Sequence, residues 1–263
     1  MKPETVFLGE MTSPEVEAFL KTHHTVIVPV GAVEQHGPHL ALLTDVLIPQ
    51  EVARRAAPTL GALVAPPINY ALSYPHTGFT GLVQIRIPTF MALIEDVAVS
   101  LATAGFKRIV FLNGHYDNTY AIAYACANAA DKLPRGVKAF PINYWDGMSA
   151  DEAAEYTSLA KGMHAHAAET AAILAINPNL VDMSKANAEF PPFPAFTVNS
   201  GPVHTAFFFT SPGSVYAATK SGTWGDATTA TPEMGERFLA LGVKSTLAVL
   251  ENIEKTFAAM PPR

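Results

Sequence analysis

Four short runs of apolar, largely β-branched residues alternate with helical segments, and this alternation limits the fold more than any other feature. The first run, "TVIVPV" at Thr25–Val30, suits a strand buried on both faces of a parallel sheet. "ALVAPP" (62–67) is a second strand, stopped by two prolines, and "RIVFLNG" (108–114) and "VKAFPI" (137–142) are the third and fourth. The intervening patterns have helical periodicity. One begins at Ser13-Pro14-Glu15 and runs to about Lys21, with a cap, a first-turn proline and an acid near the positive helix end. Others cover 46–57, 89–104 with Thr89 as cap and Gly105 as stop, 118–132, and about Ala167–Ile176. A long C-terminal helix starts at Thr231-Pro232-Glu233 and runs toward Phe257. The order predicts an α/β fold with a mainly parallel central sheet covered by helices on both faces.

At 263 residues and 49% hydrophobic content, the chain has material for a substantial core, and a single domain over 1–263 is expected. Only 15% of residues are charged, which predicts that part of the surface is covered by other subunits. A formal net charge of −6 without a Lys/Arg cluster argues against a nucleic-acid partner. No apolar run is long enough to span a membrane, and the N-terminal stretch, with Glu4 and Glu10, does not read as a signal peptide. The lone Cys126 sits in an alanine-rich helical pattern as a small buried residue, and the cysteine usage points to the cytoplasm. The segment at about 187–230 is rich in proline, glycine, aromatics and threonine. It reads as an irregular insertion that covers an active site or a subunit contact, or as a plain surface loop.

Ligands of open α/β sheets bind beyond the carboxyl ends of the strands. Glu34 and His36 lie just past the first strand, in "VGAVEQHGPHLALLTD", and His115 and Asp117 lie just past the third. If those strands are neighbours, the two pairs converge, and Asp45 can fold back to join them. Histidine nitrogen with carboxylate oxygen and no thiolate suits catalytic zinc, manganese, iron or nickel. Three carboxylates and two histidines suit two adjacent ions, with Asp45 as the bridge. In "GMHAHAAETAAIL", His164 and His166 precede or begin a helix and Glu169 follows within it. These residues read either as capping groups or as functional ones. In the functional reading His164 exchanges protons, and Glu169 orients it or binds metal. Trp145, after the fourth strand, is a candidate pocket wall or a core residue, and Tyr116 lies between two candidate ligands. His39 is read as following the Gly37-Pro38 turn. His76, in "SYPHTGFTG", is open between structural and functional roles, and His204 is unassigned.

"PVGAVEQHGPHLALLTD", "LNGHYDN", "HAHAAET" and "GTWGDATTATPEMGE" together resemble the creatininase (creatinine amidohydrolase) family over nearly the whole chain. The resemblance implies a three-layer α/β/α fold, two divalent ions per subunit (Zn2+, Mn2+ or Fe2+) and often a hexameric assembly. It implies that Glu34, Asp45 and His115 bind one ion and that His36 and Asp45, with Asp117, bind the other. It makes His164 the catalytic histidine and places Tyr116 and Trp145 near a small-molecule substrate. The sequence also departs from the family pattern. Asp117 stands where creatininase has glutamate, and Glu169 is available to compensate. Ala160 replaces a tryptophan, "HAHA" replaces "HAGE", and "FTGLVQ" stands where "FPGT" and a serine are usual. The expected reaction is opening of a cyclic amide by metal-hydroxide attack on its carbonyl. Hydrolysis of a formamide, opening of a cyclic diketone, and a non-catalytic, metal-stabilised binding oligomer are the alternatives.

Overall fold

The computed structural model describes residues 5–193 and 202–259. Its central sheet has the order β2-β1-β3-β4, all parallel, with β1 at Thr25–Val30, β2 at Ala62–Val64, β3 at Arg108–Asn113 and β4 at Lys138–Asn143. β1 and β3 are neighbours and pair from Thr25 opposite Arg108 to Val30 opposite Asn113. The two strands therefore end level, and their exit loops leave side by side.

Strand residues alternate between two cores, as the period-2 geometry of a strand requires. Val26, Val28, Val30, Ile109 and Phe111 pack on one face with Phe90 and Ile94 of α3 (Ile87–Thr103) and Ile122 of α4 (Thr119–Ala130). Val16 and Phe19 of α1 (Ser13–Phe19) close the edge of that core. Ile27, Val110, Leu112 and Ile142 pack on the other face. Their partners are Val52 of α2 (Thr44–Leu60), Ile173 of α6 (Ala167–Ile176), and Phe238 and Leu239 of the C-terminal helix Pro232–Ala258. The result is the three-layer arrangement expected from the strand runs.

Most element boundaries lie within a few residues of the expected ones. α3 starts at Ile87, two residues before Thr89, because Pro88 occupies its first turn with a fixed φ suited to a helix start. Outside the 187–230 segment, one α-helix among the described residues was not foreseen: α5, Ala150–Ala160. Its start is a capping box, in which the Glu152 amide donates to Ser149 Oγ at 3.3 Å and the Ser149 amide donates to Glu152 Oε2 at 2.8 Å. A second, antiparallel sheet joins β5 (Gly162–His164), β7 (Trp224–Asp226) and β6 (Ala188–Glu189) in the order β5-β7-β6. The 187–230 segment is therefore less irregular than its composition suggested. It carries β6, β7 and the short helices α7 (Pro202–Phe209) and α8 (Ser214–Ala218), leaving the C-terminal helix as α9; residues 194–201 lie outside the described residues. No helix among the described residues is long and apolar enough to cross a membrane.

Two glycines let the strand ends approach the first turn of α2. A Cβ on Gly31, just after β1, would meet the Asp45 carbonyl oxygen at 2.4 Å, and one on Gly114, just after β3, would meet it at 2.6 Å. Pro49, four residues after Asp45, has no amide hydrogen to offer that carbonyl, so it is not a closed rung of the helix ladder. Gly31→Ala should therefore force backbone shifts costing about 1–3 kcal/mol. A drop of roughly 2–10 °C in Tm by calorimetry is the expected result, with weaker metal retention because Asp45 is displaced.

Candidate metal centre and active site

Seven ionisable side chains converge beyond the ends of β1 and β3. Glu34 and His36 come from the β1 exit loop, Asp45 from the first turn of α2, and His115 and Asp117 from the β3 exit. His164 comes from the end of β5 and His76 from the 74–76 turn, and all seven are buried. Asp45 is central: His36 Nε2 lies 3.1 Å from its Oδ1, and His115 Nδ1 lies 2.7 Å from its Oδ2. Glu34 Oε2 accepts a 2.6 Å hydrogen bond from Ser73 Oγ and lies 3.4 Å from His115 Nε2. Asp117 Oδ2 stands 3.8 Å from His115 Nε2.

The rim is held by three asparagines. Asn113 Nδ2 donates to the His115 carbonyl at 2.6 Å and to Asn143 Oδ1 at 2.7 Å, joining the exits of β3 and β4. Asn118 Nδ2 donates to the Gly31 carbonyl at 3.0 Å, tying in the β1 exit.

Gln35 organises two of the imidazoles. Its Oε1 accepts from the Gly37 amide at 2.8 Å, which orients the amide group. Its Nε2 lies 2.9 Å from His76 Nδ1, 3.0 Å from His164 Nε2 and 3.2 Å from the Gly222 carbonyl. His164 Nε2 also lies 2.8 Å from the Gln35 carbonyl, which can only accept. His164 therefore donates from Nε2, and the two hydrogens of Gln35 Nε2 go to His76 and Gly222. That leaves the lone pair of His164 Nδ1 on the side of Glu34 Oε1, 3.7 Å away.

The cluster is electrostatically polarised. Burial opposes charge on Asp45, but His36 and His115 overcome it and hold the carboxyl well below its usual range. Burial works against a charge on His36 as well, yet Asp45 beside it raises the imidazole to about 9, and Glu34 with Asp45 raises His115 well above its ordinary value. Burial pushes Glu34 up to about 8, partly offset by His115. Burial and neighbouring cationic imidazoles hold His76 and His164 well below the ordinary histidine value, so both are neutral.

Buried polar atoms without a hydrogen-bond partner mark an unsatisfied ligand set. Glu34 Oε1, His115 Nε2 and Asp117 Oδ2 all lack one, and Asp45 Oδ2 has only the close His115 Nδ1, which pairs with it by charge and not in hydrogen-bond geometry. Donor atoms fall into three groups with mutual distances within 4.8 Å: Glu34, Asp45 and His115; His36, Asp45 and Glu169; and Glu34, His36 and His164. Oxygen and imidazole donors without thiolate fit hard or borderline divalent ions.

Glu169 does not orient His164, one of the roles expected for it. It closes a capping box at the start of α6, where its amide donates to His166 Nδ1 and its Oε2 accepts from the His166 amide, both at 3.3 Å. Ala165, between the two histidines, has φ 50°, a left-handed conformation that sends His164 and His166 to different places. Motif reading leaves Gln35 and Ser73 unmarked and His76 open between structural and functional roles; all three border the cluster in the structure. Tyr116 and Trp145 line the adjoining cavity of about 440 Å³, as do Ala160, Phe208 and Trp224. His204 also lines it, its Nδ1 3.5 Å from the Tyr116 hydroxyl. His39 is buried behind the cluster with its Nε2 2.9 Å from Thr170 Oγ1, and burial lowers its pKa to about 4.

Residues 9–250 match the family model described as Creatininase: Creatinine amidohydrolase. The chain belongs to the creatininase family. It is 33% identical to the creatinine amidohydrolase of Pseudomonas putida, over 92% of this chain and 94% of that protein. It is also 33% identical to a mycofactocin precursor peptide peptidase of Mycolicibacterium smegmatis, over 89% and 85%. A solved creatinine amidohydrolase superposes with a TM-score of 0.79 at 30% identity, covering 99% of this chain and 100% of that one. Other matching creatininase structures are a mutant of Zn-Zn type (TM-score 0.80), a manganese form (0.74) and a mutant complexed with creatine (0.79). Each is 29–31% identical and covers at least 98% of this chain and all of its own. The chain is thus a creatininase-family hydrolase of C–N bonds, with residue groups able to hold metal.

Two measurements follow. Gln35→Leu strands His76 Nδ1, the Gly37 amide and the Gly222 carbonyl, and should cost about 1–3 kcal/mol in urea unfolding. Glu34 and His36 ionise near 8 and 9 in the folded chain, above their unfolded values of 4.5 and 6.5. The stability they contribute is complete at low pH and is lost as pH rises through those folded values. Metal-free protein should therefore become less stable between pH 7 and 9, while its affinity for Zn2+ rises over the same range as bound ions displace those protons. Chelated samples melted across that range, with calorimetric zinc titrations in buffers of different ionisation enthalpy, check both trends.

Proposed function

We propose that the chain is a dinuclear metal-dependent amidohydrolase that opens a cyclic amide. The observation that carries this reading is the set of buried, unpartnered carboxylate and imidazole atoms around Asp45, beside a neutral His164 with a free Nδ1. Glu34, Asp45 and His115 would hold one ion, and His36 and Asp45 with Glu169 the other, Asp45 bridging. The donor groupings favour Glu169 over Asp117 for the second position, while Asp117 stays close to His115. Divalent ions bound there polarise a carbonyl and acidify water.

The remaining work falls to side chains. Tyr116 and Trp145 border the cavity in which the substrate lies. His164 takes a proton at Nδ1 from the attacking water and delivers it to the departing nitrogen. Burial favours the neutral form that can accept it. The Nε2–H bond to the Gln35 carbonyl keeps that nitrogen from competing. Water adds across the C–N bond, giving a carboxylate on one side and an amine on the other. The known metal forms of creatininase structures support zinc or manganese. The peptidase among the relatives makes a linear amide the competing substrate.

The test pairs metal analysis with turnover on cyclic amides and short peptides. His164→Ala should keep its metal and lose about 10²–10⁴-fold in kcat. Turnover surviving that substitution would reject the assigned role. Glu169→Gln should lower bound zinc toward one ion per subunit, whereas Asp117→Asn should change it less. The reverse order would reassign the second position to Asp117. Ring opening on none of the cyclic amides, with peptides cleaved, would move the reading to a peptidase.

A further inference from the structure

The cavity is larger than the reacting group requires. A five-membered cyclic amide has about six to eight heavy atoms, and at no more than the ~30 Å³ that a water molecule occupies in the liquid it fills at most about half of it. At about 440 Å³ the space belongs with pockets that take drug-sized ligands. What bounds the remainder is aromatic and thioether surface: Trp145, Tyr156, Met163, Phe208 and Trp224. Ala160, the last residue of α5, leaves room on that wall. Trp224 is itself packed edge-on against Phe193 and Phe207 and stacked with Phe208, so this wall is one connected aromatic cluster.

Charge points the same way. No lysine or arginine lines the cavity among the described residues. Glu34, Asp45, Asp117 and Glu169 do border it, so the described lining offers acidic side chains and no fixed basic one to pair with an anionic substrate. Resting on the amidohydrolase reading, we infer that the site takes an uncharged amide bearing an aromatic ring, its carbonyl at the Asp45 cluster and its ring against Trp145, Tyr156 and Phe208. Hydrolysis breaks only the C–N bond. The carbonyl carbon gains hydroxyl, the nitrogen gains hydrogen, and the aromatic group is carried through unchanged.

The chain contains two tryptophans, and both line this cavity, so intrinsic fluorescence reports its occupancy. The experiment titrates full-length, zinc-loaded protein with hydantoin, 5-phenylhydantoin and the anionic hydantoin-5-acetic acid, and follows ring opening of each. The expected result is a Kd for 5-phenylhydantoin at least tenfold below that for hydantoin, with the carboxylate analogue binding no tighter than hydantoin. Ala160→Trp should narrow the phenyl preference at least fivefold by filling the space. Because Ala160 is buried and its replacement can perturb folding, Phe208→Ala, which removes part of the aromatic wall, should narrow it as well. Equal affinity for the phenyl and unsubstituted rings, or tighter binding of the anion, overturns the inference. A phenyl preference without ring opening of any probe supports the pocket assignment and rejects hydrolysis of cyclic amides instead. Ring opening without that preference does the opposite.

Discussion

The site depends on β1 and β3 being adjacent and ending level. Val30 opposite Asn113 places two exit loops side by side, and only then can Glu34 and His36 meet His115 and Asp117, far along the sequence, around Asp45. The third contributor, the first turn of α2, reaches them because Gly31 and Gly114 have no Cβ to hold it off. The asparagine bonds among the exits of β1, β3 and β4 then fix loops that would otherwise be free to move. Pre-organisation of this kind is what a catalytic cluster needs from its scaffold.

Such a cluster is costly in a metal-free chain. Burying carboxylates and imidazoles together disfavours their charged forms, and the structure responds by splitting them. Asp45 stays ionised between two cationic imidazoles, whereas Glu34 holds its proton to about 8. The atoms left without a hydrogen-bond partner are the residue of that compromise. An ion placed among them would supply the partners the protein lacks, so binding and local stability are linked.

Much of this was legible in sequence where burial is two-sided. "TVIVPV" and "RIVFLN" have no exposed face to interrupt them, so both strands and the acids and imidazoles just beyond them could be read directly. The strand exits also pointed to Asp45. Less legible were residues that reach the site from irregular backbone. Ser73 and His76 come from a short 3-10 turn, whose placement depends on tertiary contacts rather than on periodicity. Gln35 sits between two candidate ligands and carries no signal of its own; its role appears only when His76, His164 and Gly222 are brought around it. α5 was missed because its face toward the core is narrow, only Leu159 and Ala160 being buried, although Ser149 with Glu152 is a capping signature.

Glu169 shows how a local motif and a tertiary site can share one side chain. Capping and function were posed as alternatives for the "HAHAAET" stretch, yet the geometry joins them. His166 and Glu169 close the end of α6, and the same carboxylate falls within the donor group of His36 and Asp45. The left-handed turn at Ala165 makes this possible, because it lets consecutive imidazoles serve different partners. His164 enters the cluster while His166 anchors the helix that carries Glu169. The bonds holding Glu169 to the cap are long, 3.3 Å each, so a stronger partner for that carboxylate would cost the helix little. A helix end weakly held by its own acid leaves that acid free to answer to the cluster, and α6 keeps its place through the buried contacts of Ala168, Ala172 and Ile173 rather than through its cap.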